Sequence, residues 1–289
     1  MRTVSNIRYR GAPTIQLTSM LMMSFGLALL SSKANAAETS STQFARVNYQ
    51  NQLYWAQSVD SSQLQLLSDA PWMTPTNVAD PLPLDEVEFE VPFTGTNVFA
   101  IGLNYRSHAG DSGAAKPEVF FKSPASLSLS DTLALSEDMK NLHFEGEMVL
   151  VIGKQCDAVS IEMAPECIFG YLAGNDLTER SWQSRDLQWW RAKGAKGFAP
   201  ISQWVTTFST SEPKFNVTTK LNGQIVQQES SSNMIHSSAA IVSFISQYIP
   251  LQAGDLIFTG TPGRTRALRA SDQVSVEIEG IGIVTTLIE

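Results

Sequence analysis

Three acidic side chains in two short segments carry the strongest chemical signal in this chain. Glu145 and Glu147 stand two apart in Asn141-Leu-His-Phe-Glu-Gly-Glu-Met-Val-Leu-Val-Ile-Gly153, and Asp176 follows in Gly174-Asn-Asp-Leu-Thr-Glu-Arg180. The first segment runs into the apolar stretch Met148 to Ile152 and reads as a strand, on which residues two apart share a face. Two carboxylates beside an apolar run are costly to bury unless positive charge joins them. A third carboxylate from a neighbouring segment completes an all-oxygen cage for a hard divalent cation. The expected chemistry is metal-assisted and acts on small, oxygen-rich substrates.

Other groups could serve the same site. His108 and Asp111 lie three apart in a Gly-rich segment after an apolar strand, so on a helical turn they face each other. A carboxylate beside an imidazole orients it and favours its protonated form, which makes the pair a candidate base for activating water. The bland alternative is a surface histidine with a helix neighbour. Arg180 and Gln183 project from one face of a helical pattern and could hold a substrate carboxylate and oxo group. Asn175 or Asp176 could equally be the N-cap of that helix. Lys193 sits in a Gly-rich bend after Trp189 and Trp190. Thr261 ends a strand in a tight Thr-Gly-Thr-Pro turn whose N–H groups could bind a carboxylate.

The elements that must position these groups are mostly strands. Short β patterns are predicted at 87–91, 98–102, 119–122, 145–152, 216–221, 255–258, 274–278 and 282–287. Helical patterns are confined to 178–190 and 237–248. Residues 44–67 alternate, with a hairpin turn expected at Asn51, and a Pro-rich stretch at 70–84 marks a boundary. The expected organisation is a leader at 1–36, a small β-rich region and linker at 37–84, and a catalytic domain at 85–289, mainly β with some α.

The leader has a basic front (Arg2, Arg8, Arg10), an apolar run from Leu17 to Leu30 and the small-residue pattern Ala34-Asn35-Ala36. That order describes a secretory signal peptide cleaved after Ala36 and an exported, periplasmic protein with no membrane span after cleavage. A single anchor is the competing reading. Removing residues 1–36 takes away four of the 20 basic residues and none of the 28 acidic ones, so the net charge moves from −8 to −12. Such a surface repels nucleic acid, and no nucleic-acid partner is expected. Cys156 and Cys167 could form a disulfide in an oxidising compartment or remain buried thiols.

The order of the motifs along the chain is more specific than any one of them. Asn104-Tyr-x-x-His108 is followed by Lys116-Pro-x-x-Phe-x-Lys122, Glu145-x-Glu147 and Gly174-Asn-Asp-x-Thr-x-Arg-x-x-Gln183. Lys193-Gly, Asn222-Gly with Gln227, Gly254-Asp-x-Ile-x-Thr-Gly-Thr-Pro262 and Glu279-Gly-Ile-Gly282 complete the series. Over about residues 90–287 this resembles the fumarylacetoacetate hydrolase family. The resemblance implies a mixed β-sandwich roll with a small N-terminal domain, a homodimer, and Mg²⁺ (or Mn²⁺ or Ca²⁺) on Glu145, Glu147 and Asp176. It also implies catalytic roles for His108, Asp111 and Lys193, with Tyr105, Arg180, Gln183 and Thr261 binding the substrate. The implied reaction is hydrolysis of the C–C bond of a 2,4-dioxo acid of the acylpyruvate type. Decarboxylation or isomerisation of an oxo-diacid in the same site, or an inactive exported binding protein, are the alternatives. Three departures stand out: Asp111 where the family has Glu, Lys196 where relatives have Asp, and the loop Gly263 to Leu268. In that loop Arg264 and Arg266 either recognise a second carboxylate or simply cover the surface.

Overall fold

The alternating and fully apolar strand patterns assemble into two sheets packed face to face. The computed structural model of the chain describes residues 41–113 and 115–289; the leader assigned to residues 1–36 lies outside them. The larger sheet has eleven strands. Its path runs Leu82–Pro83, Gln63–Leu67, Gln52–Ser58, Ser41–Tyr49, Trp204–Phe208, Ile168–Asn175, Gly146–Ile152, Leu256–Phe258, Val98–Gly102 and Glu118–Lys122, with Glu88–Glu90 paired to Ser41–Tyr49. The strands of residues 41–84 thus extend the sheet that carries the site. Ser41–Tyr49 and Gln52–Ser58 form the expected hairpin, with Gln50 and Asn51 both left-handed at its turn.

The smaller sheet orders Gln224–Ser230, Asn216–Leu221, Gln273–Ile278, Gly282–Ile288 and Thr132–Leu133. Along Gly146–Ile152 the side chains alternate between two cores. Met148, Leu150 and Ile152 face the smaller sheet (Val217, Val276, Ile278) and the helix Ser238–Ser246. Val149 and Val151 face the opposite core with Val98, Ala100, Leu172 and Phe258. This period of two is why the strand reads as an unbroken apolar run and is buried on both faces. The glycine between the two glutamates is required by the packing. A Cβ at Gly146 would lie 2.1 Å from Thr219 Oγ1 and 3.1 Å from Val276 Cγ1.

The helix expected over 178–190 is broken into two. Arg180–Arg185 is capped by the Glu179 side chain, not by Asn175 or Asp176, and ends at Asp186. Trp190–Gly194 follows as a separate helix, and Asp186 binds the Arg191 guanidinium at 2.6 and 2.8 Å. The second helical pattern gives Ser238–Ser246, N-capped by Ser237. The strands Ile168–Asn175, Trp204–Phe208 and Gln224–Ser230 were not among those expected from the sequence. Cys156 and Cys167 are joined as a disulfide. Among the described residues no helix is long and apolar enough to cross a membrane.

Candidate active site

The three carboxylates meet where the apolar face of the large sheet gives out. Glu147 lies on the strand Gly146–Ile152 and points to the same side as Val149, while Glu145 sits one residue ahead of the strand. The Glu145 N–H is held by Asn175 Oδ1 at 2.9 Å, and its carbonyl accepts the Asp176 N–H at 2.8 Å. These bonds clamp the ends of two neighbouring strands and bring carboxylate oxygens of Glu145, Glu147 and Asp176 within 4.8 Å of one another. All three residues are buried.

Internal cations meet two of the three. The Lys193 ammonium bridges Glu145 Oε2 and Asp176 Oδ2, each at 2.5 Å. The Lys122 ammonium takes Asp176 Oδ1 at 2.5 Å and also donates to the carbonyls of Lys193 and Phe198. The Arg180 guanidinium donates to Glu145 Oε1, to Gln183 Oε1 at 2.8 Å and to Thr265 Oγ1 at 3.2 Å. Burial alone would raise the Glu145 pKa, but Lys193 and then Arg180 hold its carboxyl well below the usual carboxylate range. Glu147 has no ion pair among the described residues; its Oε2 accepts only the Gly260 N–H, at 2.7 Å. Burial, then the charges of Asp176 and Glu145, push its carboxyl well above the usual range. A buried cluster of hard oxygen donors with one carboxylate short of positive charge fits a divalent ion such as Mg²⁺, held by Glu145, Glu147 and Asp176.

Gly260 can serve Glu147 because its backbone is left-handed (φ +97°) and lies against Asn104, where a Cβ would come within 2.7 Å of the Asn104 Cβ. Asn104 in turn donates to the Thr259 carbonyl at 2.8 Å and accepts the His236 N–H at 2.8 Å. Thr261 follows in the same turn, with its hydroxyl accepting from Gln227 Nε2 at 3.0 Å.

His108, Glu145 and Glu147 line one small cavity of ≈ 60 Å³ together with Arg180, Gln183, Lys193 and Thr261. Phe120, Trp189 and the segment Ile101 to Leu103 form its remaining walls. His108 Nδ1 lies 2.7 Å from the Gly263 carbonyl, and Nε2 lies 3.9 Å from Glu145 Oε1. A carbonyl only accepts, so Nδ1 carries the hydrogen, and Nε2 of the neutral ring keeps its lone pair.

Seven of the ten residues expected at the site line this cavity: Glu145, Glu147, His108, Lys193, Arg180, Gln183 and Thr261. Asp176 lies behind them, within the carboxylate cluster. Asp111 is exposed on the turn Gly110–Ser112 and makes no hydrogen bond to His108; the Gly263 carbonyl holds the imidazole in its place. Tyr105 is fully buried, does not line the cavity, and its hydroxyl has no hydrogen-bond partner among the described residues. Lys196 is exposed and does not enter the site. Arg264 and Arg266 are exposed and do not line the cavity.

Lys122 pairs with the carboxylate cluster, a contact that motif reading left without a role. Its signal was a lysine at the end of a strand pattern otherwise made of Val119, Phe120 and Phe121, where a solvated charge is out of place. Gln227 was likewise noted only as part of a motif. Here it braces the site by accepting the Gly146 N–H at 3.3 Å while donating to Thr261 and to the Pro262 carbonyl.

Comparison with known proteins identifies the family. Residues 97–289 match the family profile of the fumarylacetoacetate (FAA) hydrolase C-terminal domain. The oxaloacetate tautomerase YisK of Bacillus subtilis is 33% identical over 223 residues, covering 71% of this chain and 74% of that protein. Among solved structures, the 2-hydroxyhepta-2,4-diene-1,7-dioate isomerase of Mycobacterium marinum is 31% identical with a TM-score of 0.76, covering 86% of this chain and 98% of that one. The 5-carboxymethyl-2-hydroxymuconate delta-isomerase of Mycobacterium smegmatis is 30% identical with a TM-score of 0.78, covering 85% and 98%. The chain belongs to the fumarylacetoacetate hydrolase family.

Proposed function

We propose that this family member is a metal-dependent enzyme that interconverts the keto and enol forms of 2-oxo acids. The observation that carries this reading is the His108 imidazole, oriented by Gly263, sharing one cavity with the buried Glu145 and Glu147, behind which Asp176 completes the carboxylate cluster. The tautomerase and isomerase relatives support it. Glu145, Glu147 and Asp176 would hold a divalent ion, which would supply Lewis-acid polarisation of the bound oxo acid.

The chain's own residues do the rest. Nε2 of His108 takes a proton from the carbon next to the oxo group and delivers it to the oxo oxygen to give the enol, the reverse transfers giving back the keto form; this acid–base help contributes roughly 10²–10⁴-fold. Arg180, steadied by Gln183, and the Thr261 hydroxyl bind the substrate carboxylate. The Lys193 ammonium stabilises the developing oxyanion from the cavity wall. Trp189 and Phe120 complete the cavity wall.

Hydrolysis of the C–C bond of a 2,4-dioxo acid is the second reading. It uses the same imidazole to activate water and the same cluster to hold the departing enolate. The cavity volume of ≈ 60 Å³, more than one water requires, favours keeping it.

The test is a metal-dependent screen by absorbance: decay of enol-oxaloacetate and of other enolised 2-oxo acids, beside pyruvate release from acylpyruvates. Faster tautomerisation with Mg²⁺, lost with chelator and in His108→Asn, supports the proposal. Pyruvate release without tautomerisation replaces it with the hydrolase. Tight oxalate binding with no turnover in either assay assigns a binding protein.

The same reading makes the mature protein an exported, periplasmic homodimer. The order of basic, apolar and small residues in 1–36 and the Cys156–Cys167 disulfide support export. Fractionation of expressing cells and sedimentation of the purified protein test these two statements.

A further inference from the structure

A second groove opens beside the carboxylate cavity, and the two share walls. Phe120 and Trp189 line both, and their rings meet edge to face at 5.4 Å. The inner cavity, at ≈ 60 Å³, takes an oxo-acid head and little more, whereas the outer groove has ≈ 560 Å³. Val119, Phe121, Leu187 and Trp190 line the outer groove with those two rings. Leu187 is 95% exposed, Trp190 72% and Phe121 52%, an apolar exposure that solvation alone does not account for. Glu118 is the one charged residue in the lining. An anion there would meet a carboxylate and no cation, and Arg264 and Arg266 line neither space.

We propose that this groove is the subsite for an apolar chain attached to the oxo-acid head, so that the preferred substrates are monocarboxylic oxo acids with an apolar tail. The inference rests on the proposed reading of the inner cavity as the oxo-acid site. One turn of chain connects the two. Trp189 immediately precedes the helix that carries Lys193, whose N–H bonds the Trp189 carbonyl at 2.9 Å. The Lys193 ammonium in turn lies 5.0 Å from the centre of the Phe120 ring. A head gripped near Lys193 therefore directs its tail across Phe120 and Trp189 toward Leu187 and Trp190.

The test is calorimetric binding of N-alkyl oxamates, from methyl to hexyl, to the purified protein with Mg²⁺; no turnover is needed. Affinity is expected to rise with each methylene, up to about fourfold where the methylene is fully buried. A terminal carboxylate on the hexyl chain should remove the gain. The double substitution Leu187→Ser with Trp190→Ser should flatten the series; both side chains are exposed, and near-ultraviolet dichroism checks that the fold is kept. A flat series in the parent overturns the proposal, as does an unchanged slope in the double variant. If the double variant keeps the slope but dissociates in sedimentation, the patch belongs to a second copy of the chain and the proposal fails. A slope without turnover of any oxo acid leaves the subsite standing and removes the proposed reaction. Absence of oxamate binding removes both.

Discussion

Replacing Lys122 with methionine isolates the part of the site that holds it together without metal. The Lys122 ammonium is buried, donates to Asp176 Oδ1 at 2.5 Å and to two carbonyls, and lies 5.7 Å from the Phe258 ring centre. Methionine fills similar volume and leaves Asp176 charged, buried and served by Lys193 alone. Breaking a buried pair from one side costs about 3–5 kcal/mol, because the remaining charge loses its partner. For a chain of this size each kcal/mol moves Tm by roughly 2–4 °C, so a fall of about 6–20 °C is expected in the metal-free protein. Urea unfolding in chelator, read by tryptophan fluorescence, measures it. Asp176→Asn completes a double-mutant cycle, and directly bonded residues should couple by about 1–3 kcal/mol. The variant should also gain more stability than the parent from Mg²⁺, since an added cation replaces the missing charge. A loss under about 1 kcal/mol with no coupling refutes the argument, because it would mean that Asp176 is not held by a desolvated ammonium.

His108→Asn is expected to lower kcat by roughly 10²–10⁴-fold in the tautomerase assay, while Asp111→Ala changes it less than about twofold. Equal losses in the two variants would show that the imidazole is oriented by Asp111 during turnover and not by Gly263. Mg²⁺ at a hundred times its Kd should stabilise the protein by about 2.7 kcal/mol in thermal melts, and Glu147→Gln should abolish that shift. Tyr105→Phe removes a buried hydroxyl without a hydrogen-bond partner among the described residues and should raise stability at neutral pH by up to about 1–3 kcal/mol. Burial, then Glu147 and Glu229, raise the Tyr105 pKa above its ordinary 10.0. The neutral phenol is therefore favoured by the fold, and its contribution is lost as pH rises beyond about 10, the unfolded value. Denaturant titrations from pH 8 to 11 should show a shallower alkaline decline in the variant than in the parent.

Much of the site could be read along the chain because its parts are local patterns. A strand with two glutamates two apart must present both to one side, and Glu145 and Glu147 do face Asp176 across a clamp of backbone bonds. The strands at 98–102, 146–152, 216–221 and 282–288 were legible for the same reason: apolar spacing matches the pleat. Gln224–Ser230 was not, since its outer face is polar at an edge of the smaller sheet, and neither was the break at Asp186, where an ion pair with Arg191 competes with the helix.

The sequence alone determined the mostly β architecture and the choice of carboxylates, which follow from periodicity and donor chemistry that neighbours in sequence set, and the order of its motifs carried the resemblance to the family. Which cation meets which carboxylate was decided only by tertiary structure. Lys122, 54 residues from Asp176, and Lys193, 48 residues from Glu145, arrive there through sheet pairing and helix packing. The orientation of His108 was decided the same way, by the Gly263 carbonyl 155 residues downstream and not by the acid three positions along. Local spacing proposes partners within a turn, whereas burial selects whichever distant groups the packed sheets bring within hydrogen-bonding reach.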